Sequence, residues 1–204
     1  MTTWAGSAFA ARVRSIREVF VAVRPSSQER VAPRAGDQLV PRADVVMDRA
    51  FTIGAAPDVV WPWLVQLGKH RAGWYLPHAV EVAVPPSRRA LRRIDARWLR
   101  LAVNDVIPDY GGRNEIFRVA ELAAPDRLVY RSRRGRTDVS WSITCHAMTA
   151  AAGSEQTRVC LRLRMAPVRR KRLVKTVGEL FDLLTVAGLA AGLRERLAEQ
   201  ATLG

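Results

Sequence analysis

The chain has 204 residues, 49% of them hydrophobic and 25% charged, which suits one domain plus an appendage with a core that needs no disulfide or metal support. Its 33 Lys and Arg against 19 Asp and Glu leave a formal net charge of +14, a balance that attracts anionic partners over long range. Two cysteines, Cys145 and Cys160, and three scattered histidines, His70, His78 and His146, exclude a disulfide scaffold and a zinc or HExxH centre, so neither metal nor cofactor is expected.

Phe9, Val13, Ile16, Phe20 and Val23 fall at helical spacing and predict an amphipathic helix over residues 8–24. Arg12, Arg14 and Arg17 interrupt any apolar run there, so no secretory signal is evident. Such a basic helix either docks on the domain or a second subunit, making a homodimer, or lies on an anionic membrane surface. Pro25 to Pro41 is rich in Pro, Ser, Gly and charge, the composition of a linker. The expected organisation is therefore residues 1–34 as helix and linker and 35–204 as a folded domain.

A half-buried strand begins near Asp44, with Val45, Met47, Phe51 and Ile53 on one parity. Arg49 shares that parity: it points into a cavity, or a bulge shifts the register. The segment "GAAPDVVWPWLVQLGKH" predicts a buried helix opened by Pro57 and Asp58 and stopped at Gly68. Pro62 predicts a kink or restart inside it. "RAGWYLPHAV" predicts a second short helical turn, ended or bent at Pro77.

Residues 85–105 hold Arg88, Arg89, Arg92, Arg93, Arg97 and Arg100 against Asp95 and Asp105. They predict a long surface loop, either a solvated face or a rim for phosphate or carboxylate. Four strands follow at hairpin spacing, residues 114–122, 127–134, 139–148 and 157–166. In the last, Val159, Leu161, Leu163 and Met165 alternate with Arg158, Arg162 and Arg164, which predicts a sheet with one wet side. The same phasing sets Cys145 and Cys160 at opposite parity, against pairing.

A long C-terminal helix is expected over about residues 168–199, with Leu173, Val177, Leu180, Leu184 and Ala191 as its apolar stripe. It opens on the basic run at Arg169 to Arg172, where the helix dipole disfavours cations, so that run suggests contact with an anion or a partner. Gly188 and Gly192 leave room for another backbone or a ligand. The apolar stretch near residues 183–193 falls short of the roughly 20 residues a span needs. A soluble, cytoplasmic protein is expected, with any membrane contact peripheral.

The element order is α+β: strand, two short helices, a run of antiparallel strands and a long final helix. "IGAAPDVVWPWLVQLGKHRAGWYLP" (53–77), "AGDQLVP" (35–41) and "VNDVIPDYGG" (103–112) resemble the polyketide cyclase/dehydrase-like branch of the START and pollen-allergen-like superfamily, SRPBCC. That branch usually has Gly-Asp where this chain has Asn104-Asp105. The resemblance implies a helix-grip fold, a curved sheet wrapped around the C-terminal helix, with the extra N-terminal helix outside it. It also implies a cavity for a small hydrophobic or amphipathic ligand, and in some members catalysis of cyclisation or dehydration.

Nucleophilic signatures are missing, as is any nucleic-acid module, so nucleic acid is not an expected partner. Acid–base chemistry needs only one or two polar groups in a dry pocket, and the candidates are Arg49, Asp105, Tyr110, Tyr130 and His146. Trp63, Trp74, Tyr75 and Trp141 either line the pocket or fill it. The leading expectation is a ligand-binding module; an enzyme and a peripheral membrane or interaction protein are the alternatives.

Overall fold

The computed structural model describes residues 21–203. The helix expected over 8–24 therefore falls outside the described residues, save for its end. Six strands form one antiparallel sheet: β1 (Val45–Ile53), β2 (Val106–Pro108), β3 (Ile116–Ala123), β4 (Arg127–Arg134), β5 (Thr137–Thr149) and β6 (Glu155–Ala166), in spatial order β1-β6-β5-β4-β3-β2. The short helices are α1 (Ser27–Val31), α2 (Pro57–Gln66) and α3 (His78–Glu81), and α4 (Lys171–Leu203) closes the chain. The sheet's inner face packs on α4, with Phe51, Ile53, Val159, Leu161, Ile143 and Leu128 in the core beside Leu183, Val186, Leu189 and Leu193 of the helix.

The β1–β6 register runs unbroken, with Arg49 opposite Leu161 and Phe51 opposite Val159. No bulge shifts it, so Arg49 faces inward. Pro62 does not break α2, which runs continuously to Gln66. The carbonyl four residues back belongs to exposed Asp58, where water can replace the missing N–H partner. Residues 71–77 form no helical turn. A bridge between Gly68 and Gly73 closes the loop, and Pro77 caps α3 rather than ending a helix. Gly73 is required there, since its φ is 87° and a Cβ would lie 2.8 Å from the Ala90 Cα.

Two expectations fail for one reason. Residues 25–41 are not a plain linker, and the outer face of β6 is not wet. The segment crosses that face as a strap, begun by α1 with its reciprocal Ser26–Glu29 cap. Arg162, only 4% exposed, donates to Asp48 at 2.7 Å, to Asp37 at 3.0 Å and to the carbonyls of Ala32 and Arg30. Arg158 holds Glu29 at 2.7 Å, and Arg164 donates to the carbonyls of Val40 and Pro41. These bonds join arginines to backbone and carboxylates, so they leave no apolar periodicity in the strap. Cys160 lies on this strapped face near Glu29 and Cys145 in the core, and both are free thiols.

The stripe assigned to α4 is also turned. Leu173, Val177, Leu180 and Leu184 are each more than half exposed. The sheet side carries Gly178, Asp182, Val186 and Leu189 instead. A Cβ on Gly178 would lie 2.7 Å from the Met47 Cε, and Asp182 meets Arg49. Close approach and an ion pair orient the helix there, against its own apolar periodicity. Farther along, a Cβ on Gly192 would meet the Leu76 backbone at 2.6 Å, so another backbone fills that space. Buried Arg196 fixes this half by pairing with Glu81 and donating to the carbonyls of Leu91 and Leu76. Among the described residues α4 is long and apolar enough to cross a membrane by length and composition, more than its apolar run near 183–193 suggests. Its second half is committed to the core.

Candidate functional site

Where the first half of α4 passes the edge strand β1, residues 21–25 run alongside and leave a groove of about 630 Å³. Val23, Met47 and Leu183 give it a buried apolar floor. The Ala50 N–H donates to the Val23 carbonyl at 3.1 Å, which ties this segment to the otherwise open edge of β1. Arg24, Arg30, Arg49 and Lys175 line the groove, against the acids Asp48 and Glu179. Asp48 is already held by Arg162. Arg24, Arg30 and Lys175 have no acidic partner among the described residues.

Arg49 sits deepest in the pairing. Its guanidinium lies 3.0 Å from the Asp182 carboxylate, with the two side chains 14% and 19% exposed. It donates to the carbonyls of Asp48 at 2.7 Å and Glu179 at 2.9 Å. The Arg49 Nε and Asp182 Oδ2 approach without the alignment of a hydrogen bond. Burial pushes the Asp182 carboxyl up to about 6; Arg49 opposes that rise, and Glu179 and Asp48 add to it. Desolvation therefore outweighs the ion pair.

The nine sequence-derived site residues divide into separate places. Trp74, Tyr110, Tyr130 and Trp141 come together in one aromatic cluster: Tyr130 stacks on Trp141 at 5.4 Å, Trp141 on Trp74 at 6.1 Å, and Tyr110 meets Trp74 edge-on at 6.4 Å. Trp74 donates to the Thr185 carbonyl at 3.0 Å, joining the cluster to α4. Phe117 completes it, with the Arg134 guanidinium 5.4 Å above its ring. Burial holds the Tyr130 hydroxyl well above its usual range and raises Tyr110 as well.

Trp63 and Tyr75 pack edge-on at 5.6 Å in the core. The Tyr75 hydroxyl donates to the Trp63 carbonyl at 2.9 Å and accepts from Gln66 at 2.9 Å. Asp105 accepts from the Ala102 N–H at 2.9 Å and so closes a turn. His146 is exposed on the outer face, beside Arg34, Glu121, Asp126 and Arg127 in a separate groove. Arg49 alone of the nine lines the groove along β1. The basic loop is partly spent on structure, since Arg92 pairs with Glu81, Glu195 and Glu199.

Sequence reasoning did not find Asp182, Lys175, Arg24 or Arg30. For Asp182 a signal existed. It shares one helical face with Gly178, Val186 and Leu189, a small and apolar face on which an acid needs a partner. Arg49, the only cation on the inward parity of β1, is that partner.

No protein-family model matches the sequence, and no curated protein matches it. Solved structures do. A hypothetical protein from Helicobacter pylori is similar over 80% of this chain and 95% of its own, at 15% identity and a TM-score of 0.50. The fold is a helix grip. CalU16 from Micromonospora echinospora aligns over 78% of this chain and 87% of its own at 15% identity, with a TM-score of 0.40. An HSP90 activator from Plasmodium falciparum aligns over 75% and 96% at 11% identity, with a TM-score of 0.46. At such identities the likeness extends to fold and not to ligand or activity.

Proposed function

We propose that this chain is a binding protein for a small amphipathic anion, held in the groove between β1 and the first half of α4. The observation that carries this reading is an apolar floor of Val23, Met47 and Leu183 bordered by cations, of which Arg24, Arg30 and Lys175 have no acidic partner among the described residues. An apolar tail covers the floor, and the anionic head meets the unpaired cations. The volume, about 630 Å³, suits a ligand of ordinary metabolite size. The resemblance to the SRPBCC superfamily supports a hydrophobic-ligand role on this fold.

Titration with a long-chain carboxylate and with the uncharged alcohol of the same length tests the reading. The carboxylate binds more tightly, and Arg24→Gln with Lys175→Gln removes that preference while leaving the alcohol unaffected. Equal binding of acid and alcohol by the wild-type chain contradicts it.

A second reading, acid–base catalysis of the cyclase or dehydratase type, rests on Asp182. A carboxyl raised to about 6 beside Arg49 can exchange a proton near neutral pH. Asp182→Asn then abolishes turnover of a polyketone substrate while the fold persists by circular dichroism; turnover that survives the change rejects this role.

A further inference from the structure

The first three turns of α4 present an apolar face to solvent. Leu173, Val177, Leu180, Phe181 and Leu184 are between 52% and 68% exposed, and Val21 beside them is 71% exposed. At 100° per residue these five helix positions fall within one sector about 100° wide, a continuous stripe rather than scattered exposure. An exposed stripe of this size on an otherwise packed domain marks a contact surface.

Charge decides what covers it. Arg169 and Arg170 stand at the head of the stripe and Arg172 lies to one side of it, all exposed, whereas Lys175 faces the groove along β1. The only acids in this half of the helix, Glu179 and Asp182, lie on the opposite side, where Arg49 meets the Glu179 carbonyl and the Asp182 carboxylate. The positive end of the helix dipole adds to the same field. A second copy of a chain with net charge +14 meets repulsion here, whereas a surface of negative headgroups over an apolar interior matches both features. The stripe cannot span. It is about 20 Å long at 1.5 Å per residue, short of a ~30 Å hydrocarbon core, and the following turns are pinned by Trp74 and Arg196.

We propose that this face of α4 docks the protein on an anionic lipid bilayer, with Leu173, Val177, Leu180, Phe181 and Leu184 entering the interface and Arg169, Arg170 and Arg172 meeting the headgroups. This places the membrane contact on α4, apart from residues 8–24, and it does not depend on the ligand-binding reading.

The test is co-sedimentation of the full chain with phosphatidylcholine vesicles, with and without phosphatidylglycerol. The wild type sediments only with the anionic vesicles. Arg169→Gln, Arg170→Gln and Arg172→Gln together weaken the partition on the order of a hundredfold, at about fivefold per basic residue near such a surface. Phe181→Ser with Leu184→Ser, both at exposed positions, abolishes sedimentation without altering the melting temperature. No sedimentation of the wild type, or sedimentation indifferent to both variants, overturns the proposal.

A second readout separates the occupants. The native thiols are buried, so a polarity-sensitive dye on Leu184→Cys labels this face alone. A blue shift on adding anionic vesicles supports the bilayer. Emission already blue in the free protein and unmoved by vesicles shows the face covered by the chain's own N-terminal segment or by a second copy, and overturns it.

Discussion

Asp182 lies on the buried side of α4 and pairs with Arg49 across the seam, and its carboxyl is raised to about 6 from a model-compound value of 3.8. The folded chain thus holds this proton more tightly than the unfolded chain does. Between these two values the native state binds more protons, so Asp182 makes stability fall as pH rises from about 4 to about 6, and the loss is complete above that. Its size is on the order of 2–3 kcal/mol. Asp182→Asn, which mimics the protonated carboxyl, should match the wild type near pH 4 and exceed its stability by that amount near pH 7, as read from urea midpoints at each pH. If the variant is instead less stable at neutral pH, the Arg49 charge outweighs the burial cost. At this scale the sequence was half legible. Strand parity marked Arg49 as the odd residue and left two explanations; the partner that chooses between them lies about 130 residues away, beyond the reach of any local pattern.

Among the elements, the strap carries the greatest departure from expectation. Alternation in β6 correctly placed Arg158, Arg162 and Arg164 on one face, but the wetness of that face is a tertiary matter. Proline, serine and glycine in residues 25–41 say only that no regular element forms there, whereas α1 and the stretch after it are fixed by arginines reaching their carbonyls. Arg162→Met should therefore cost about 3–5 kcal/mol, because it strands the Asp48 carboxylate and the carbonyls of Ala32 and Arg30 and takes one cation from Asp37, which keeps Arg164 and the Arg34 N–H. Equilibrium unfolding in urea measures it, and a loss below about 1 kcal/mol would mean that the strap is bound by something other than this residue. Acid works on the same element in the opposite sense to Asp182. Arg158 holds the Glu29 carboxyl down at about 2, so the stability it contributes is present above its unfolded value near 4.5 and fades as pH falls towards 2.

For the molecule as a whole, the order of strands and helices was legible because each has its own period, and the aromatic block proved to be structural in part and clustered in part. The orientation of α4 was not legible: an apolar stripe shows that a helix has an apolar side, not that this side meets the sheet. The outcome divides the helix. From Leu183 onward Leu183, Val186, Leu189, Ala190 and Leu193 are buried, and Arg196 locks the far end to Glu81 and two carbonyls. Before that point, among the described residues, the helix is held down by the Arg49 contacts, the close approach of Gly178 to Met47 and the Lys171–Asp44 ion pair at its first residue. Local stability follows buried contacts, so amide exchange in residues 173–181 should be faster than in 186–196 by at least about tenfold, a gap of about 1.4 kcal/mol. Peptide-resolved hydrogen exchange measures both halves at once. Uniform protection along α4 would mean that the first half is covered in solution. On anionic vesicles the same amides should slow towards the rate of the second half, since the bilayer then supplies the contacts that the sheet does not.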